Sequence, residues 1–194
     1  MTTIMKTSTV ISLKIMAALL LLSMALNGCG QASQQDKDQP KVEKPTIDIH
    51  TAIRNGDLDA VKQHIAAGSN LNEKDPFTGS TPIITAAAFN QIKAVEALID
   101  AKVPLTIKNN DGATVLHAAA FFGRIEIVQL LIDANVDKDV RNNVGATARE
   151  SVSGPFEEVK PIYEMVRQQM APLGLQIDLT ELEKARPVIA MMLQ

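Results

Sequence analysis

Apolar positions recur along this chain in two different rhythms. Residues 15 to 26, IMAALLLLSMAL, form an almost unbroken apolar run preceded by Lys6 and Lys14. A helical span of the hydrocarbon layer needs about 20 apolar residues, so this run fits the core of an export signal and not a membrane helix. Beyond residue 46 the apolar residues fall instead in spaced sets: Leu58, Val61 and Ile65, then Ile92, Val95 and Ile99, then Ile125, Val128 and Ile132. Steps of three and four put each set on one face of a helix. In the last of them Ile125, Val128, Leu131 and Ile132 are expected to face inward and Glu126 outward. Equivalent members of the sets stand 33 or 34 residues apart, and Gly79, Gly112 and Gly145 keep the same interval, as do Thr81, Thr114 and Thr147. Each amphipathic stretch follows a segment rich in small residues, for which the pattern predicts a short helix able to approach its neighbours closely. Thr81 and Thr114 suit the cap of that helix, and Pro82 suits its first turn, where no backbone donor is wanted. After residue 153 the interval lapses. Val159, Ile162, Tyr163 and Val166 predict a helix over 155–170, with Pro161 tolerated near its start or bending it. Pro172 and Gly174 interrupt the chain, and Thr180 followed by Glu183 predicts a capping box for a last helix through Met192.

The interval and the segments that carry it resemble ankyrin repeats. IDIHTAIRNG, TPIITAAAFN and TVLHAAAFFG are similar to that family's T-P-L-H-x-A-A-x-x-G segment, EIVQLLIDANVD is similar to its second helix and loop, and VGATARESVSG opens a partial fourth copy. Asn90 and Asn135 stand where glycines are usual, Pro104 enters a loop, and the fourth copy loses the pattern after Thr147. The resemblance implies an all-α ankyrin-repeat solenoid over residues 46–153, with three clear repeats plus a degenerate fourth. A helical hairpin of this kind cannot bury its apolar face alone, so neighbours must stack and the last one must be covered. Residues 154–194 are therefore expected to be C-terminal capping helices, the alternative being a dimer contact through Val188, Ile189, Met191 and Met192.

Composition narrows the class of protein. The chain has 194 residues and a formal net charge of −3, and residues 1–28 contribute Lys6 and Lys14 but no acid, so their removal leaves the rest more acidic still. A surface that binds nucleic acid must displace counterions from phosphates with basic side chains, and stacking on bases needs aromatics; this chain is acidic, lacks Trp and is only 3% aromatic, so no nucleic-acid partner is expected. Its single cysteine excludes an intrachain disulfide and any zinc site built from paired thiolates. That cysteine, Cys29, ends the sequence LNGC, which resembles a bacterial lipobox. The resemblance implies a lipoprotein signal peptide over residues 1–28, cleavage before Cys29, and attachment there of acyl chains such as palmitate; the alternative is an ordinary signal peptide with a chance cysteine. Acyl chains contribute about 0.8 kcal/mol per buried methylene, enough in combination to anchor a protein without a spanning helix. Gly30 after the cysteine implies sorting to the outer membrane, facing the periplasm. The lipidated cysteine and the polar, Pro-interrupted stretch after it make residues 29–45 a flexible linker, with a random-coil reach of about 20 Å.

The candidate chemistry is sparse. The resemblance makes His117 and His50 braces for adjoining turns, while His64 falls where later repeats have leucine and is expected to mark a first repeat with one solvated face. No nucleophile, carboxylate pair or metal-ligand spacing accompanies these histidines, so no enzyme, cofactor or metal is expected. In the family, partners bind at the turn tips and the concave face of the short helices. By register those positions are Thr51, Arg54 and Asn55; Phe77, Ser80, Thr85, Ala88 and Phe89; Asn110, Ala113, Ala118, Phe121 and Phe122; and Asn143 and Ala146. Four phenylalanines thus fall outside the positions that the repeat needs for its core, and buried aromatics are favoured interface anchors. For Phe122 the alternative is a place under a neighbouring turn. The expectation is a monomeric, membrane-tethered scaffold for a protein partner, either assisting an envelope enzyme or neutralising an envelope-targeting toxin as an immunity protein. A small-ligand binder or enzyme is the competing class.

Overall fold

Three consecutive helical hairpins occupy the repeating region of the computed structural model, which describes residues Val42–Gln194. The export segment 1–28, Cys29 and all but the end of the linker lie outside the described residues. The first hairpin joins α1 (Ile49–Arg54) to α2 (Leu58–Ala66), the second α3 (Pro82–Ala88) to α4 (Ile92–Asp100), and the third α5 (Val115–Phe121) to α6 (Ile125–Asp133). The short helices α1, α3 and α5 pack side by side in one layer, and the longer α2, α4 and α6 pack in the other. Among the described residues all regular structure is helical.

Local chemistry sets the ends of these helices. Asp48 caps α1 by accepting the Thr51 N–H at 2.9 Å, and Asp57 caps α2 by accepting the Ala60 N–H at 2.9 Å. The reversal between the helices of each hairpin needs a left-handed residue, supplied by Gly56 and Gly123 in the first and third and by Asn90 at φ 58° in the second. Asparagine tolerates this region better than other residues with a Cβ, which is why its substitution for glycine leaves the hairpin intact.

The alanines of the short helices let these helices approach closely: Ala52, Ala86, Ala87, Ala119 and Ala120 are wholly buried. On α6 the buried residues are Ile127, Val128 and Leu131, whereas Ile125, expected inside, is 39% exposed. Position 125 is the first of its helix and lies on the rim of a cleft beside Leu182 and Val188, so the inward face is carried by Ile127 instead.

The tail departs most from expectation. Thr147 and Glu150 form a reciprocal cap, with the Thr147 N–H on Glu150 Oε2 at 2.8 Å and the Glu150 N–H on Thr147 Oγ1 at 3.2 Å, and open α7 (Glu150–Ser153), a single turn. There follow α8 (Phe156–Met170), with Pro161 inside it, a 3-10 turn at Ala171–Leu173, and α9 (Leu179–Met192). Helix α9 packs against both α6 and α7. Its start lies at the start of α6, where Leu182 and Ala185 adjoin Gly123, and the chain beyond its end lies past the end of α6, where Lys138 Nζ donates to the Gln194 carbonyl at 2.8 Å. It therefore runs alongside α6 as the second helix of a fourth hairpin, with α7 as the first. Residues 155–178 are an insertion between the two halves of that hairpin. Asp178, not Thr180, caps α9, accepting the N–H groups of Thr180 and Glu181 at 2.9 and 3.1 Å; the helix opens one residue before Thr180, which lies inside it. Ile189 is buried, so of the residues considered for a dimer contact only Val188 and Met191 face outward.

Candidate interaction surface

Between hairpins the chain projects as turns, and the residues at their tips are bound to each other. Asp75, Asn109 and Asn142 organise the turns by accepting backbone N–H groups on their side-chain oxygens, Asn109 from Asp111 and Ala113 and Asn142 from Val144 and Ala146. Asn110 then donates its backbone N–H to the Thr78 carbonyl at 3.0 Å and its side-chain amide to the Phe77 carbonyl at 3.1 Å. Asn143 repeats the pattern one step along, donating to the carbonyls of Asp111 at 3.0 Å and Asn110 at 2.9 Å. Asn110 and Asn143, placed by register among partner-facing residues, thus join tip to tip. A Cβ on Gly79 or Gly112 would overlap Asn110 Oδ1 or Asn143 Oδ1, whereas at Gly145 the space is open. Lys74 and Lys108 add a second ladder, each Nζ donating to a carbonyl in the following repeat, that of Lys108 at 2.8 Å and that of Arg141 at 2.7 Å.

The histidines are committed internally. His117 Nε2–H donates to the Ala146 carbonyl at 3.1 Å, while Nδ1 accepts from the Thr114 hydroxyl at 2.9 Å and the Thr114 N–H at 3.3 Å. Burial of this ring disfavours its charged form and pulls its pKa below the usual value. His50 bonds the Glu73 carbonyl at 3.0 Å and the Thr85 hydroxyl at 2.9 Å. His64 is 1% exposed and bonds the Ile47 carbonyl at 2.9 Å and the Ser69 hydroxyl at 3.0 Å. The solvated face expected at His64 is therefore absent; a polar ring is tolerated there because both of its nitrogens find partners, and it ties the entering chain to α2. Thr85 and Ser80, also assigned by register to the partner face, are buried, Thr85 as a partner of His50. Thr81 differs from Thr114: Ile84 stands where His117 stands in the next repeat, and Thr81 Oγ1 is buried without a hydrogen-bond partner among the described residues.

The remaining register positions divide into open and covered ones. Phe77 is 89% exposed while its backbone is held on both sides, its N–H by Asp75 and its carbonyl by Asn110. Asn55 is exposed; Arg54, Phe89 and Ala113 are half-buried, Arg54 lying 3.6 Å from the Asp75 carboxylate and donating to Thr51 Oγ1. Phe121 and Phe122, expected on an open face, pack within the chain instead. The Phe121 ring lies 4.4 Å from that of Tyr163, and Phe122 meets Phe121 edge-on at 5.0 Å. Phe156, on the same helix as Tyr163, stacks on its ring at 5.9 Å, and the contact of Tyr163 with Phe121 fixes the inserted α8 to the third hairpin. Tyr163 is the single buried residue of α8. Arg186, 2% exposed, donates to Tyr163 Oη at 2.8 Å and to the Gly154 carbonyl at 3.0 Å. Arg124 bridges the Ala88 carbonyl at 3.0 Å and the Gln176 carbonyl at 3.2 Å, and burial lowers its pKa. The roles of Tyr163, Arg186 and Arg124 escape sequence reasoning because a fixed repeat register has no place for an insertion; the chain's lone tyrosine on a helical apolar face was the available signal.

Among the described residues no three His, Cys, Asp or Glu side chains gather as a metal site, and no helix is long and apolar enough to cross a membrane. A family model described as ankyrin repeats (3 copies) matches residues 49–142. The chain is also similar to the DNA-binding protein RFXANK of Homo sapiens, with 38% identity over 55 residues, 28% of this chain and 21% of that relative. The chain thus aligns with about a fifth of the length of the curated relative it matches.

Proposed function

The chain is an ankyrin-repeat protein, its repeats spanning residues 49–142, and on that premise we propose that it holds a partner protein on its turn tips and the open part of its short-helix layer. Ankyrin repeats imply an interaction scaffold, and stacked hairpins leave side chains at tip positions that packing does not require. The observation that carries the reading is Phe77, a large apolar ring exposed to solvent on a backbone that is already fixed. Such a side chain gives a partner apolar area with little ordering left to do. Arg54, Asn55, Phe89 and Ala113 extend the surface, and Asn110 and Asn143 offer it the atoms left over from their ladder. Phe121 and Phe122 contribute only their outer edges, being half-buried.

The sequence LNGC supports a lipid anchor at Cys29, and with it a place in a bacterial envelope, tethered to a membrane and facing the periplasm. The partner is then an envelope enzyme that the scaffold assists, or a toxin that it neutralises; a gene for either beside this one would separate the two. The acidic balance of the chain argues against nucleic acid as the partner. Occupation of both nitrogens of every histidine argues against a catalytic use of these rings. The test is capture of the partner by the full-length protein and by Phe77→Ala, which should fold normally and bind at least about 1 kcal/mol more weakly. Unchanged binding would remove the tip from the interface. Cys29→Ala should release the protein from membranes, and continued attachment would contradict the anchor.

A further inference from the structure

The interrupted fourth hairpin leaves a cleft of about 280 Å³ between α7 and α9, apart from the turn tips. Its apolar lining comes from Val152, Phe156, Pro187 and Met191, and its charged lining from Arg149, Arg186 and Glu183. Arg186 is buried, yet its partners are all neutral: Tyr163 Oη, the Gly154 carbonyl and, at 3.4 Å, the Ser151 carbonyl. Arg149 spends only Nε, on the Ala190 carbonyl at 3.2 Å. Among the described residues neither guanidinium has a carboxylate within 4.0 Å. Removing a cation from water without a counter-ion carries a penalty of several kcal/mol, which neutral acceptors offset only in part.

We propose that this cleft binds a small organic monocarboxylate, its carboxylate between Arg149 and Arg186 and its apolar body against Phe156, Val152 and Met191. A planar carboxylate matches the donor fork of a guanidinium. The lining is of mixed sign, two arginines with Glu183, which favours a ligand of one negative charge. A dianion such as phosphate would bring twice that charge to the Glu183 carboxylate. The volume, at the small end of ligand sites, admits a body of several carbons.

Calorimetric titration of the full-length protein in detergent with hexanoate, hexanol and inorganic phosphate tests the assignment. Hexanoate should bind saturably, and hexanol and phosphate should bind at least tenfold more weakly. Because Arg186 also braces Tyr163, the decisive variant is Arg149→Ala, whose side chain is exposed; it should keep its helical signal and melting temperature and lose at least tenfold in hexanoate affinity, with Arg149→Lys intermediate. Binding of hexanol as tight as that of hexanoate, phosphate as tight as hexanoate, or full affinity in Arg149→Ala would each overturn the proposal. A carboxylate delivered by a partner protein is a separate outcome: partner capture lost in Arg149→Ala, with no hexanoate binding, would replace the small-molecule site.

Discussion

The hydroxyl of Tyr163 accepts a 2.8 Å hydrogen bond from Nη1 of Arg186, two side chains 23 residues apart and both withdrawn from solvent. The bond joins the inserted α8 to α9, the helix that completes the fourth hairpin, and the Phe121 ring closes the same cluster from the third. Burial raises the pKa of this phenol although the nearby guanidinium pulls it down, so the tyrosine stays neutral and available as an acceptor.

Tyr163→Phe should therefore destabilise the protein by about 1–3 kcal/mol, the range for an acceptor withdrawn from a buried charged donor. Tyr163→Ala should cost about 3–5 kcal/mol by adding a cavity under Phe121 and Phe156. Urea unfolding of both variants checks the pair; no loss in Tyr163→Phe would mean that the hydroxyl does nothing beyond filling space.

The two cap threonines separate a satisfied buried hydroxyl from an orphaned one. Thr114→Val breaks the bond to His117 and should cost about 1–2 kcal/mol. Thr81→Val removes a hydroxyl with no partner and should be neutral or stabilising. Denaturation midpoints of the two variants give the comparison, and a larger loss at Thr81 would refute it.

His117 gives stability a pH dependence of known sign. Its folded pKa lies below the usual 6.5, so the native state favours the neutral ring and binds fewer protons than the unfolded chain. Its contribution is complete above the unfolded value and declines as the pH falls through about 6.5 toward the folded value. The urea midpoint should thus fall between pH 7.5 and pH 5, and the fall should be smaller in His117→Asn. An identical slope in the variant would assign the effect to other groups.

The hairpins were legible because each is local: a threonine at the helix start in the second and third, alanines and a three-four apolar spacing lie within one repeat, and Asn90 could take a glycine's conformation without altering the plan. The surface was legible only where nothing else touches it. Register placed Phe77 and Asn55 on the outside, but it equally placed Thr85, Phe121 and Asn110 there, whose partners His50, Tyr163 and Phe77 lie 33 to 42 residues away. Periodicity reports which way a side chain points and is blind to what the rest of the chain brings to meet it. The fourth hairpin was hidden for the same reason, since its halves read as the end of one pattern and the start of another.

Splitting the last hairpin across residues 155–178 also sets an order of events for a polypeptide that emerges from its N-terminus. The first two hairpins can close as they appear, because their partners lie within the same or the neighbouring hairpin. Helix α6 must wait with one flank bare until α9 has emerged. A chain halted anywhere in the insertion would expose a greasy, sticky edge to chaperones and proteases.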